Sequence, residues 1–402
     1  MENVKSISPD LFWVGSLDPN LKVFDVIMET EFGTTYNSYL LKGTEGTAIF
    51  ETVKDKFFDD YLEKIKSLVD PSTINYIVVN HTEPDHSGSA AKLLEYAPNA
   101  TVVGSSQAIL FLQQIVNKPF KSQVVKEGET LNLGNKTIRF ISAPNLHWPD
   151  TMYSYVEEEK TLITCDSFGA HYCSDKIFRN DLEKEKDAEY LKAFKFYFDM
   201  IIGPFKPFVL TALTKINDLD IKYICPGHGM VLSGEYIDKY KALYKEWSTV
   251  EKRKTPSIIL GYVSAYGFTE KLANKIAEGI KSTNDQYEVL VYDLSIAKQD
   301  EVIKEIEQAS GLLIGSPTIL ADALPPVLSL LYTLNPAIHK GKYAACFGSY
   351  GWSGEATKNI QQRFVQLKFK TPLEPLKIKF NPSDEELQQA FDFGVEFVKS
   401  MQ

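Results

Sequence analysis

Apolar and polar positions alternate along this chain in two different rhythms. A short β-branched run at Tyr76–Val79 predicts a strand; the polar loop 80–88 follows, and Leu93 and Leu94 then belong to a helical pattern. Further apolar runs at 101–103, 138–141, 152–156 and 161–165, separated by turns such as Leu133-Gly134-Asn135, predict a strand-rich region. Helices interrupt it: Phe57, Tyr61, Ile65 and Leu68 recur at spacings of four, four and three and share one helix face. Strands with helices on their outer faces predict a layered α/β architecture.

The rhythm changes after the charged stretch 240–256, which contains Glu251-Lys252-Arg253-Lys254. From there, strands at 258–263, 287–292, 312–315, 343–347 and 376–380 alternate with helices at 269–280, 301–308 and 326–334, from Gly354, and at 384–398. Five βα units predict a doubly wound parallel sheet, whose ligands bind at the carboxyl ends of the strands. The expected division is 1–254 and 255–402, with no internal repeat.

With 402 residues, 44% of them hydrophobic, each half has enough apolar material to bury its own core. The net charge of −10 argues against a general nucleic-acid or anionic-membrane binder, which needs clustered Lys and Arg. The N-terminus lacks the basic segment and apolar core of a secretion signal, and no uninterrupted apolar run approaches the ~20 residues of a membrane span. Cys165, Cys173, Cys225 and Cys346 form no CxxC pair and suit free thiols, so a cytoplasmic protein is expected.

Candidate chemistry concentrates in the loop after the first predicted strand. His81-Thr82-Glu83-Pro84-Asp85-His86 places four metal-ligating side chains in six residues. Three more candidates stand at the ends of later elements: His147 within Asn145-Leu146-His147-Trp148-Pro149-Asp150, Asp166 after 161–165, and His228 after 221–225. Taken singly, His147 or His228 reads equally well as a hydrogen-bonded loop histidine, and Asp85 as a carboxylate at a helix N-terminus near Ser87 and Ser89. Taken jointly, four of the six histidines fall into one pattern. Three carboxylates crowded together without a cation would repel by several kcal/mol per pair at an effective dielectric of ~20, whereas two dications leave a net charge of about +1.

The loop resembles that of the metallo-β-lactamase superfamily, His-x-His-x-Asp-His, with Glu83 in place of the second His. Four imidazoles and three carboxylates shift the donor set toward harder oxygen and toward redox-active iron. Joined to a flavodoxin-like half, His-x-Glu-x-Asp-His resembles the flavodiiron proteins, or A-type flavoproteins, over essentially the whole chain. The resemblance implies an αββα sandwich followed by a flavodoxin-like doubly wound sheet. It also implies that His81, Glu83 and His147 bind one iron, that Asp85, His86 and His228 bind the other, and that Asp166 bridges them. The residue matching His86 is displaced from its metal in some members. His171 and Tyr197 read as groups that hydrogen-bond a bound diatomic or its products, although Tyr197 reads nearly as well as a core aromatic; Trp148 reads equally as pocket wall or packing.

The flavin reading rests on three loops. Ser264-Ala265-Tyr266-Gly267-Phe268-Thr269-Glu270 offers hydroxyls and backbone N–H groups at the start of a helix, a phosphate cradle without the lysine of an ATP-binding loop. Ser316-Pro317-Thr318-Ile319-Leu320 and Gly348-Ser349-Tyr350-Gly351-Trp352-Ser353-Gly354 follow later strands of the same sheet, with Trp352 or Tyr350 placed to stack on a flat ring. One phosphate loop and no GxGxxG after the first strand indicate FMN rather than a dinucleotide. Family members often carry Asn where Leu320 stands, so one polar contact to the flavin is expected to be missing.

The resemblance implies reduction of dioxygen to water, of nitric oxide to nitrous oxide, or both, with FMN carrying electrons to two irons. It implies a head-to-tail homodimer, or a tetramer. With no Cys-rich rubredoxin segment before Gln402, a separate donor such as rubredoxin is expected, with a deazaflavin donor as an alternative. Two readings compete: a zinc hydrolase with a flavodoxin-like regulatory domain, which metal analysis separates, and an FMN electron carrier, which leaves the seven-ligand pattern unexplained.

Overall fold

The run Tyr76–Val79 is a strand with its last three residues buried, as β-branched side chains suit a sheet covered on both faces. It belongs to a computed structural model that describes residues 4–26, 28–250, 253–283 and 286–402. Glu251 and Lys252 of the charged run and residues 1–3 of the N-terminus lie outside the described residues. The chain folds as two units, Met1–Thr249 and Val250–Gln402.

The first unit stacks two sheets. One contains Lys5–Ser6, Leu11–Trp13, Tyr39–Lys42, Thr47–Phe50, Tyr76–Val79, Thr101–Gly104 and Lys121–Val124 in that spatial order. The other contains Thr130–Asn132, Thr137–Ser142, Met152–Val156, Thr161–Cys165, Tyr223–Pro226 and Leu232–Ser233, again in chain order. Strand alternation explains the layering. Tyr39, Leu41 and Val78 meet Phe140, Met152 and Ile163 between the sheets, while Leu40, Ile77 and Val79 point outward to Tyr61, Ile65 and Leu112 of flanking helices. On the opposite outer face Tyr153, Leu162 and Ile224 pack against Tyr190, Phe194 and Tyr240. The result is an αββα sandwich of the metallo-β-lactamase kind.

The helical run Lys184–Ile216 is long and apolar enough, by length and composition, to cross a membrane. It is not one straight rod: an α-helix at Asp187–Tyr197 passes into a π-turn at Phe198–Ile202 and a 3-10 turn at Gly203–Phe205 before Lys206–Ile216. Its buried side chains, among them Phe194, Phe198 and Val209, belong to the core of the sandwich.

The second unit has one parallel sheet with strands ordered Glu288–Asp293, Ser257–Tyr262, Gly311–Gly315, Tyr343–Tyr350 and Leu376–Lys379. The reversal after the first crossover creates a switch point at the carboxyl ends of Ser257–Tyr262 and Gly311–Gly315, where such sheets bind ligands. Alternate residues serve opposite faces. Ile259, Leu312 and Ile314 meet Val327, Leu330 and Phe364, whereas Leu260, Leu313 and Phe347 meet Ile276, Phe393 and Phe397. Helix Asp384–Ser400 starts at a capping box between Ser383 and Glu386.

Candidate metal centre and flavin site

Strand ends bring the seven candidate ligands of the first unit together. His81 leaves Tyr76–Val79, and Pro84 starts the single turn Pro84–Ser87 that carries Asp85 and His86. Thr161–Cys165 and Tyr223–Pro226 are parallel neighbours, so Asp166 and His228 emerge at the same edge. His147 arrives from the turn between Thr137–Ser142 and Met152–Val156.

The donors form two groups sharing one carboxylate. In the first, Glu83 Oε2 lies 3.2 Å from His81 Nε2 and 3.0 Å from His147 Nε2, and Asp166 Oδ2 lies 3.3 and 3.1 Å from the same two nitrogens. In the second, Asp85 Oδ2 lies 3.1 Å from His228 Nε2 and 3.4 Å from His86 Nε2, while Asp166 Oδ1 is 2.9 Å from His86 Nε2 and 3.7 Å from His228 Nε2. These separations are what neighbouring donors adopt at about 2.1 Å from one cation. Asp166 directs one oxygen at each group. Among the described residues, both oxygens of buried Asp85 lack a hydrogen-bond partner, an arrangement that is costly without a cation and ordinary with one. The residues present therefore fit two metal ions, and harder ones than an all-nitrogen set would select.

Further residues orient the ligands. His228 Nδ1 donates to the carbonyl of Thr35 at 2.5 Å, which leaves Nε2 as the free donor atom. Asp150, fully buried, accepts from the backbone N–H and the hydroxyl of Thr82 at 2.8 Å each and holds its second oxygen 3.6 Å from His81 Nδ1. His86 is anchored by its carbonyl, which accepts from Thr52, but its Nδ1 has no partner; a Cβ on Gly227 would lie 2.7 Å from its ring. The Nδ1 side of the His86 ring is thus braced by packing, while its Nε2 side meets Asp166 Oδ1 at 2.9 Å.

Electrostatics follow from this crowding. Burial works against charge on His81, His147 and His86, yet the neighbouring carboxylates outweigh it and raise all three, His86 to about 9. Burial likewise penalises the Glu83 and Asp166 carboxylates, and the imidazoles overcome it and hold both below the usual carboxylate range. Glu51, fully buried behind the loop, is pushed up to about 8 by desolvation while its Oε1 accepts from the Asn80 N–H at 2.8 Å. Asp25, on the hairpin formed by Val23–Phe24 and Met28–Glu29, is raised to about 6 by desolvation and then by Glu83.

His171 and Tyr197 reach the same place. The His171 ring lies 5.1 Å from that of His228 and 4.8 Å from that of Tyr197, its Nδ1 is 2.9 Å from Thr34 Oγ1, and burial followed by the charge of His228 holds its pKa well below the usual range. Tyr197 is buried with its ring 5.9 Å from His228. Trp148 stands edge-on to His81 at 5.1 Å and to Phe111 at 6.2 Å, packing against a ligand. Thr34, Thr35, Glu51 and Asp25 carry no motif signal in the sequence, and Asp150 is marked there only by its place three residues after His147.

In the second unit the three loops meet at the switch point. Thr269 Oγ1 is 2.9 Å from Ser349 Oγ, the Thr318 N–H donates to the Ser349 carbonyl at 3.0 Å, and the Ala356 N–H donates to Thr318 Oγ1 at 3.3 Å. Ser264 Oγ accepts from the Glu270 N–H at 3.2 Å, and Ser316 Oγ accepts from the Leu324 N–H at 2.9 Å beside Pro317. Ala265, Tyr266 and Gly267 precede helix Phe268–Thr283, where Gly267 takes φ +80° with open space around it. Ser349 and Tyr350 lie within strand Tyr343–Tyr350 rather than in the loop, because they pair with Ile378 and Lys379. The loop proper is Gly351, Trp352, Ser353 and Gly354, with Trp352 92% exposed. Ile319 and Asp322 pair across a tight turn whose tip, Leu320 and Ala321, is left-handed, and Leu320 is 97% exposed. Hydroxyls, an open helix start and exposed aromatics fit a phosphate and a flat ring.

Known proteins resemble both units of the chain. Residues 34–229 match the ODP family beta lactamase and residues 260–394 match flavodoxin. Flavo-diiron protein FprA2 of Clostridium acetobutylicum is 41% identical over 398 residues, covering 98% of this chain and 99% of its own. Type A flavoprotein fprA of Rhodobacter capsulatus is 37% identical, covering 97% of this chain and 89% of its own. Among solved structures, rubredoxin oxygen:oxidoreductase of Desulfovibrio gigas superposes with TM-score 0.66 at 29% identity, covering 99% of this chain and 98% of its own. The flavodiiron protein of Giardia intestinalis does so with TM-score 0.65 at 28% identity, covering 99% and 96%. A relative this similar along its entire length, together with a double donor cluster and a flavodoxin-like unit, makes this chain a member of the flavodiiron protein family.

Proposed function

We propose that this flavodiiron oxidoreductase reduces dioxygen to water, nitric oxide to nitrous oxide, or both, drawing on electrons delivered through FMN. The observation that carries the reading is Asp166, whose two oxygens face two separate donor groups. When bound, two irons and FMN supply electron storage and redox chemistry. His81, Glu83 and His147 would hold one iron; Asp85, His86 and His228 would hold the other; Asp166 would join them. His171 and Tyr197 are placed to hydrogen-bond the bound diatomic and to donate to the developing anion. His81, Asp85, His86, Asp166 and His228 are buried, so interactions made on their side of the centre act in a low dielectric.

In the residues 255–402, the loop from Ser264 to Thr269 would take the FMN phosphate, and Ser316 to Leu320 with Ser349 to Gly354 would enclose the ring. A head-to-tail dimer, which brings the flavin of one protomer beside the irons of the other, completes the electron path. The rubredoxin named in the Desulfovibrio gigas relative supports a small electron-transfer protein as donor. Iron, zinc and FMN are to be quantified in the purified protein while gas consumption is followed with reduced rubredoxin. Two irons and one FMN per chain with consumption of either gas agree with the proposal; zinc without gas consumption returns the chain to a hydrolase.

A further inference from the structure

A cleft of about 610 Å³ opens on the first unit between the hairpin formed by Val23–Phe24 and Met28–Glu29 and helix Asp187–Tyr197. Val23, Phe32, Ala193 and Phe196 form apolar walls, and His171 closes the inner end. Four charged residues also line it, Lys22, Glu29, Glu31 and Lys192, all of them exposed, and Lys192 Nζ pairs with Glu31 Oε2 at 2.5 Å. Behind the floor, the His171 ring lies 5.1 Å from ligand His228 and 4.4 Å from Phe24, and Phe24 itself lies 5.5 Å from His228. One layer of rings therefore separates the cleft from the donor cluster.

The metal centre also meets solvent on another side, through Glu83 and His147, whose side chains are 14% and 15% exposed. That approach presents a carboxylate and an imidazole, which hold water. The cleft presents aromatic and aliphatic carbon, and cavities so lined take up small apolar species such as xenon. A polar organic ligand would need several convergent polar groups inside the cleft; its buried polar lining residues are His171 and Thr30, and the Thr30 hydroxyl already donates to the Leu21 carbonyl at 2.6 Å.

We propose that this cleft is the entry and holding site for the diatomic gas, with the Phe24 and His171 rings as its inner partition, separate from the polar Glu83–His147 edge. The inference rests on the proposed gas reduction for its purpose but not for its first test. Crystals of the holoprotein under xenon pressure should show xenon against Val23, Phe32 and Phe196. Val23→Trp and Phe196→Trp, both at partly exposed positions, should displace it. In the same variants, the second-order rate constant for reoxidation of the reduced protein by dioxygen or nitric oxide should fall about tenfold, within the range that mutants of one site span. Turnover at saturating gas, metal content and FMN content should stay unchanged. No xenon in the wild-type cleft, or unaltered reoxidation in both variants, overturns the inference. Xenon in the cleft of a protein that reduces neither gas would overturn the proposed function while leaving the cleft an apolar-gas site.

Discussion

Asp150 joins the backbone of the metal loop to the imidazole of His81. It accepts two hydrogen bonds from Thr82 and places a carboxylate beside His81 Nδ1. Asp150→Ala should lower metal affinity about 10- to 100-fold, the usual cost of losing a group that orients a ligand, with Asp150→Asn milder; metal titration checks the order. Glu51 behaves differently because, with its pKa near 8, it is largely neutral at pH 7 and needs only to accept from the Asn80 N–H. Glu51→Gln should therefore be nearly silent in a denaturant melt, whereas Glu51→Ala, which orphans a buried donor, should cost about 1–3 kcal/mol. Protonation of the metal-free ligands gives a pH signature. Metal-free His86 has its pKa raised from 6.5 to about 9, so its ion-pair stabilisation is full below 6.5 and is lost as pH rises through 9. Glu83 and Asp166 are depressed and contribute above their ordinary range, losing it only in acid. The thermal midpoint of the metal-free protein should thus fall between pH 6.5 and 9 while that of the loaded protein, with neutral imidazoles on metal, holds steady.

At the scale of elements, helices Phe268–Thr283 and Asp384–Ser400 pack so closely that a Cβ on Gly279 would lie 2.0 Å from the Phe391 carbonyl oxygen, and one on Gly394 would lie 2.2 Å from that of Ile276. Gly279→Ala should cost about 1–3 kcal/mol in an unfolding titration through overpacking, without changing the flavin loops on the far ends of the strands. Neither glycine announced this role in the sequence, since a helix–helix contact is set by residues distant in the chain. The strands themselves were legible, because runs such as 152–156 and 161–165 are long, apolar and bounded by turns. The hairpin of Val23–Phe24 and Met28–Glu29 was not, because two-residue strands leave no period to read. Ser349 and Tyr350 looked like loop for a related reason: their pairing with Ile378 and Lys379 is a long-range contact. The ligands were legible because four fall within six residues and the rest stand at strand ends, whereas Thr34 and Thr35 act through positions on a neighbouring strand that carry no local pattern.

For the molecule as a whole, the claim is that two irons and one flavin act in one catalytic cycle, storing the four electrons that reduction of dioxygen to water consumes. The most direct measurement is an anaerobic single turnover. The fully reduced protein, with iron and FMN content determined on the same sample, is mixed separately with dioxygen and with nitric oxide while flavin absorbance and gas products are followed. Rapid flavin reoxidation with formation of water or nitrous oxide, at two irons and one FMN per chain, is the predicted result, and the faster gas identifies the substrate. A reduced, iron-loaded protein whose flavin stays reduced in the presence of both gases would contradict the account.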